Sequence, residues 1–218
     1  MLLERKDGLW APFPLEVVWF NVATDWSFLA DWRSIARKAD TTAVRDSLEY
    51  AELAGKRWRY LAGQGLSAAS LAELRRLALK HPAGEFGLSL ALRTRGPTGQ
   101  ILGFAFSRRT WANNLMLEFL AASPAAAHGI KGAGRALMQA LSFIALWLDC
   151  DELWGECTEL SKGFYSSLKA KTAHSPDRSQ KPENVRDRFQ FSRGELSLIV
   201  RESQVRIEGC TAEDFREM

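Results

Sequence analysis

Apolar positions divide the chain into two kinds of territory. In the first eighty residues a strand-like run is followed by stripes at helical spacing. "LEVVWFNVA" (15–23) is rich in β-branched and aromatic residues and predicts a strand. Thr24 or Asp25 then offers a cap for a helix running to about Lys38, with Trp26, Leu29, Trp32 and Ile35 three and four residues apart. A second helix is expected from about Thr42 to Leu61. A third is expected from Ser67 as N-cap through "SAASLAELRRLALK", stopped by "HPAG".

Beyond residue 84 the period shortens. "EFGLSLALRT" (85–94) and "QILGFAFSRR" (100–109), joined by "RGPTG", predict a β-hairpin, and "NLMLEFLAAS" (114–123) predicts a third strand. A glycine-rich turn leads into a helix from about Gly132 to Leu148, followed by a short strand (152–159) and a short helix (160–170). Residues 169–186 lack apolar periodicity and are expected to form a loop. "DRFQFSRGELSLIV" (187–200) alternates and is expected to be a hairpin turning at Arg193-Gly194, and the tail after Arg201 offers one more strand. Strand, glycine turn, helix and strand from 114 to 157 make one crossover unit of the length that joins parallel neighbours. The fold class expected is α/β in the mixed α+β sense: a mostly antiparallel central sheet with one parallel β-α-β crossover and helices on both faces.

Composition narrows the picture. The 218 residues are 46% hydrophobic and 25% charged, which supplies a filled core and argues against global disorder. No internal repeat or linker divides the chain, so one domain over 1–218 is expected. The net charge of +3 suits an anionic ligand without calling for nucleic acid. The N-terminal run lacks a signal-peptide pattern. The longest apolar stretch, Ala140 to Leu148, is interrupted by Ser142 and is too short to span a bilayer. Cys150, Cys157 and Cys210 show no CxxC spacing and are expected as reduced thiols in a cytoplasmic protein. Three scattered histidines make a dedicated metal site an unexpected feature.

The chemistry concentrates at "GIKGAGRAL" (129–137). Glycines ahead of a helix leave N–H groups free near the positive end of the dipole, which is an anion site. There is no GxxxxGK[ST], and GxGxxG fails because Leu137 stands where the third glycine belongs. The remaining pattern resembles the GNAT superfamily of acyl-CoA-dependent N-acyltransferases, whose signature Q/R-x-x-G-x-G/A wraps the pyrophosphate of coenzyme A. Gly132, Gly134 and Arg135 match it, whereas Gly129 stands where Gln or Arg is usual. The family's later motif, N-x-x-A-x-x-F-Y-x-x-L-G-F, is echoed by "TELSKGFYSSLKA" (158–170): Phe164, Tyr165 and Leu168 agree, with Thr158 for Asn and Ser161 for Ala. The resemblance covers about 85–170, and residues 1–80 form a variable strand-and-helix region.

The resemblance implies an enzyme that moves an acetyl or other short acyl group from coenzyme A, its co-substrate, to an amine, without a metal. It implies pyrophosphate binding by Gly129, Lys131, Gly132, Ala133, Gly134 and Arg135, and pantetheine binding by the backbone of Phe119, Leu120, Ala121 and Ala122. It places Tyr165 as the acid for the departing thiolate. Glu118 is the first candidate base, since a lone carboxylate in an apolar strand faces a cleft or is costly. Strand alternation would put it on one face with Met116 and Leu120, where burial would raise its pKa. Glu156 on the next strand is the rival. Cys157 is expected to be a small buried hydrophobe rather than a nucleophile. Trp10, Trp19, Trp26, Trp32 and Trp58 are expected mainly as core, and the basic 33–59 stretch as a solvated helical face.

Two alternatives stay open. One is a GNAT-like domain without catalysis that binds or regulates. The other is an enzyme whose acceptor is an aminoacyl-tRNA. The acceptor, whether small molecule or protein, is set outside the matched region, and the oligomeric state, a homodimer included, is likewise open.

Overall fold

The computed structural model describes residues 3–6, 9–12, 15–20, 27–39, 42–94, 99–123, 130–172, 188–201 and 207–209. In chain order the strands are β1 (Leu3–Lys6), β2 (Leu9–Pro12), β3 (Leu15–Trp19), β4 (Ser67–Ala68), β5 (Phe86–Thr94), β6 (Ile101–Arg109), β7 (Leu115–Ala122), β8 (Ile130–Lys131), β9 (Glu152–Glu156) and β10 (Arg188–Ser192). The helices are α1 (Phe28–Ala39), α2 (Thr42–Gly63), α3 (Leu71–Lys80), α4 (Ala133–Trp147), α5 (Glu159–Thr172) and α6 (Arg193–Arg201). The main sheet has the order β10-β9-β7-β6-β5-β3, with β4 pairing β5 off that path. Its long neighbours are antiparallel, and β7 and β9, joined through α4, are parallel. The expected mixed sheet and its crossover are present, and the two-residue β4, parallel to β5 across α3, adds a second parallel pair.

Strand alternation sends side chains to two cores. Leu88, Leu90, Leu92 and Leu102 face α3, α4, α5 and α6. Val18, Phe20, Ala91, Phe104 and Phe106 face α1 and α2, where Trp32 and Trp58 are buried. Phe104 lies at the centre of this second cluster, with ring centroids 5.4 Å from Phe28, Trp32 and Phe119. Trp19, Trp32 and Trp58 thus fill core; Trp26 and the side chain of Trp10 lie outside the described residues. Helix α4 is buried all round from Ala136 to Leu146, because the sheet covers one side and α6 another. Its one central hydroxyl, Ser142, donates to the Met138 carbonyl at 2.8 Å.

Two expectations are corrected. Helix α3 starts after Ser70, whose hydroxyl accepts from the Glu73 N–H; Ser67 lies instead in a two-residue strand. Residues 193–200 are helix, not the second arm of a hairpin. Ser192 and Glu195 close a capping box, with the Ser192 N–H donating to Glu195 at 2.8 Å, and Leu196 and Ile199 turn inward at helical spacing. In the tail Ile207 makes a parallel bridge to Val17, and the rest of the strand expected after Arg201 lies mostly outside the described residues. The N-terminal β1–β2 hairpin, unforeseen, forms a separate three-stranded sheet with β8. The loop expected at 169–186 lies mostly outside the described residues, its first four belonging to α5. No described helix is long and apolar enough to cross a membrane.

The end of the sheet is tied by one guanidinium. Arg109, 8% exposed, donates to the carbonyl of Pro82 at 2.7 Å, to those of His81 and Gly84, and to Asn113 Oδ1 at 2.7 Å. Asn113 in turn donates to the Asp149 carbonyl, so α3, the β6–β7 turn and the α4–β9 turn share one junction. Buried beside it, the Cys150 thiol is pushed up from 9.0 to about 12 by burial, with Arg109 pulling the other way.

The unfolded chain loses the Cys150 proton near its ordinary value while the folded chain keeps it, so stability is full below pH 9 and falls as pH rises toward 12. The expected contribution is about 1.4 kcal/mol per pH unit in that window. Urea unfolding at pH 8, 9, 10 and 11 should give a steeper decline for the parent than for Cys150→Ala; equal slopes would remove the thiol from this account.

Candidate functional site

The site begins where two strands part. β7 stays paired with β6 along its length, but its parallel pairing with β9 covers only Leu115 to Leu117, against Leu153 to Gly155. On the β6 side the register slips between Phe106 and Ser107, which pair with Phe119 and Leu117, so Glu118 is the extra residue of a β-bulge. Beyond it the antiparallel ladder can be followed from the Ser123 N–H, which donates to the Leu102 carbonyl at 2.8 Å. Counting back by twos, Ala121 and Phe119 bond to β6, and the peptide groups of Leu120 and Ala122 point away from it. They point toward the side that β9 no longer occupies.

The start of α4 stands beside this opening. Gly132 is its N-cap with φ 101°, a left-handed conformation that L side chains adopt only with strain. Among the described residues no side chain caps this end, whereas Ser70 caps α3, Thr158 and Ser161 close the start of α5, and Ser192 with Glu195 closes that of α6. The first helical return is from Ala136 N–H to the Gly132 carbonyl at 2.9 Å, which leaves the N–H groups of Ala133, Gly134 and Arg135 without a partner inside the helix. Gly134 serves packing: a Cβ there would lie 3.2 Å from Phe164 and 3.4 Å from Leu120, so its absence lets α4, β7 and α5 converge. Lys131 is in β8, paired with Leu3; Gly129 lies outside the described residues.

On the opposite face a cavity of about 210 Å³ lies between α2 and the sheet. Leu53, Ala54 and Trp58 form its helical wall, and Phe106 and Phe119 its floor. Glu118 lines it as well. The bulge breaks the alternation beyond it: Glu118 keeps the expected face with Met116, both meeting Arg108, and Phe119 joins them there, while Leu120 packs into the α4 core, contrary to its expected grouping with Glu118. Nor is the carboxylate isolated. Its Oε1 accepts from Arg108 Nε at 2.8 Å, and its Oε2 lies 3.0 Å from Arg57 Nη1. Burial pulls Arg108 down, but its hydrogen bond and charge contact with Glu118, and then those with Glu85, raise it overall. Glu156 is exposed at the end of β9 and does not line this cavity.

Tyr165 is buried, its ring stacked on Phe189 with centroids 3.9 Å apart and set edge-on to Phe164 at 4.9 Å. Burial, and secondarily the charge of nearby Cys157, pushes its phenol above the ordinary value. Cys157 and Cys150 are both free thiols, and Cys157 is half-buried at the end of the β9 segment, while Cys210 lies outside the described residues. Among the described residues no group of histidine, cysteine and carboxylate side chains is arranged to hold a metal. Sequence reasoning missed Arg108 and Arg57 as partners of Glu118. Strand neighbours across a bulge and a helix residue sixty positions away carry no common local signal.

No family model and no curated protein sequence matches the chain. Among solved structures it is similar to a GNAT-family acetyltransferase from Staphylococcus aureus Mu50, at 11% identity and TM-score 0.44, over 83% of this chain and 99% of that one. It is similar to an acetyltransferase from Bacillus cereus ATCC 14579, at 16% identity and TM-score 0.34, over 46% and 77%. It is also similar to a nourseothricin acetyltransferase at 22% identity and TM-score 0.33, over 38% of this chain, and spans about half (48%) of that protein's length. The chain's own topology has parallel strands that part beside a glycine-started crossover helix, the arrangement that the resemblance in the sequence implies.

One methyl group would wedge β7 and β9 apart where they still pair. A Cβ on Gly155 would sit 2.6 Å from the Leu117 carbonyl oxygen and 2.8 Å from the Phe189 ring. Gly155→Ala should therefore cost about 1–3 kcal/mol in urea unfolding; an unchanged midpoint would show that β7 and β9 do not need this close approach.

Proposed function

We propose that this chain is an N-acyltransferase that moves an acetyl or other short acyl group from coenzyme A to an amine. The observation that carries the reading is the opening between β7 and β9 in front of an uncapped, glycine-started helix end. A pyrophosphate meets N–H donors at Ala133, Gly134 and Arg135 that have no partner inside the helix, and the Arg135 side chain adds a positive charge. In the sequence the motif also includes Gly129 and Lys131. An extended pantetheine arm, rich in amides, can pair with the peptide groups of Leu120 and Ala122 as an added strand would. The flanking Phe119 and Ala121 hold that edge against β6.

In the transfer a C–N bond forms, the thioester C–S bond breaks, the amine gives up a proton and the sulfur gains one. A carbonyl oxygen held by a β7 N–H gains stabilisation as it becomes negative. Glu118, at the apex of the fork on the cavity side, is the carboxylate placed to receive the amine and, on attack, its proton; Glu156 stands outside. The raised phenol of Tyr165 makes complete proton transfer to a thiolate uphill, so its part is to donate a hydrogen bond to the leaving sulfur, and the proton released from the amine balances the one that the thiolate finally takes up from solution. The double ion pair on Glu118 favours a second reading, a GNAT-like domain that binds the same ligand without turnover.

Unfolding with and without acetyl-CoA is the test. A ligand that binds only the folded chain, supplied at a hundred times its dissociation constant, adds about 2.7 kcal/mol. The parent should show such a gain and Arg135→Glu a much smaller one with its unliganded stability kept. No gain at millimolar acetyl-CoA would overturn the reading.

Tyr165→Phe should retain the acetyl-CoA gain and slow release of the free coenzyme A thiol by about 10- to 100-fold. Unchanged release would take the hydroxyl out of the mechanism, and no release from the parent with a panel of amines would favour the binding module.

A further inference from the structure

The cavity on the α2 face has a composition that selects an acceptor. Its walls are apolar, with Leu53, Ala54 and Trp58 on one side and Phe106 and Phe119 on the other, and its polar groups are Glu118 and Arg57. Within this pair the two ends differ sharply: Glu118 is 8% exposed, Arg57 64%. Arg108 holds Oε1 from the strand side and is anchored in turn by Glu85 at 2.7 Å, so that contact belongs to the fold. Arg57 holds Oε2 from a long side chain that is mostly in water, an arrangement worth little in itself and easily exchanged. Volume sets the rest. An apolar cavity of roughly 150 Å³ takes one benzene ring, so about 210 Å³ takes a ring or a branched alkyl group with a short arm.

We propose that this cavity binds the acceptor as a primary ammonium on a compact apolar body, with Glu118 Oε2 receiving the ammonium and Arg57 occupying that place until it arrives. The proposal rests on the acyltransferase reading for its use of the bound amine, but the binding itself does not need coenzyme A. A carboxylate-bearing body would set a second negative charge against Glu118, and a neutral one would leave the Arg57 pair unbroken. Arg57 is therefore a specificity-determining residue: it competes with every acceptor and releases the cavity only to a group that replaces its charge.

Three probes of one shape separate the possibilities: phenethylamine, 2-phenylethanol and 3-phenylpropionate. Binding is read from the Trp58 indole N–H signal, assigned by its loss in Trp58→Phe, with acetyl-CoA stabilisation measured on the same protein. Phenethylamine should bind at least tenfold more tightly than either analogue. Arg57→Ala, a change at an exposed position, should tighten phenethylamine several-fold and leave 2-phenylethanol within twofold. Glu118→Gln should erase the preference for the amine. A preference for 3-phenylpropionate, equal affinities for all three, no binding of any, or weaker phenethylamine binding in Arg57→Ala would each overturn the proposal. If acetyl-CoA stabilises the parent and phenethylamine does not bind, only the acceptor site falls. If phenethylamine binds and acetyl-CoA does not, the cavity stands and the transferase reading falls.

Discussion

The carbonyl oxygen of Leu117 leaves no space for a side chain at residue 155. Glycine there lets β9 lie close enough to β7 to make a parallel ladder, and lets the Phe189 ring cross beneath it. One residue later the bulge at Glu118 redirects β7 and the ladder ends. The rest of the site is geometry that follows from this branch. Peptide groups at Leu120 and Ala122 lose their partner strand, the start of α4 meets the gap from one face, and Glu118 meets it from the other. A sheet that stayed closed would have no exposed main-chain edge in its interior, and a sheet without the crossover would have no helix end beside it.

The scaffold around the branch is strong where the branch is open. Helix α4 is enclosed by apolar neighbours through most of its length, and burial of each large side chain there contributes about 1.5–3 kcal/mol. Its first turn therefore does not need a capping side chain to keep it helical, and its N–H groups can stay available. The far end of the sheet is fixed by the Arg109 junction, whose charged donors satisfy carbonyls from a segment of chain with no ladder of its own. Adjacent arginines thus divide the work. Arg109 ties three turns together, and Arg108, pointing to the other face, balances Glu118.

What could be read from the sequence was what depends on local pattern. The hairpin of β5 and β6, the crossover and helix α2 follow from period and turn residues, and their ends agree within a few positions. What escaped depends on partners distant in the chain. β1 and β2 gain their pairing from each other and from β8, more than a hundred residues on. Residues 187–200 alternate perfectly up to Ser192, so a second strand looked natural; the S-x-x-E box at 192–195 was the contrary signal, and Leu196 with Ile199 only makes sense as a helical pair. The bulge left no trace in "LMLEFLAAS". Alternation placed Glu118 with Leu120, and one inserted residue put Leu120 on the other face of the sheet.

The glycine motif was the part of the site most visible in sequence, yet its members have different reasons to be glycine. Gly132 is held at positive φ, so the backbone itself requires it. Gly134 is not; the space its side chain would take is bordered by Phe164 and Leu120, and close packing of three elements requires it. Neither reason mentions a ligand. A pattern of small residues before a helix therefore reports the approach of backbones first, and the anion site is its by-product: once packing excludes side chains, nothing remains to cap the helix. The ligand argument gains weight only when a second, independent opening is found at the same place. Here that opening is the unpaired edge of β7, built by Gly155 and the bulge at Glu118, residues that belong to no glycine motif at all.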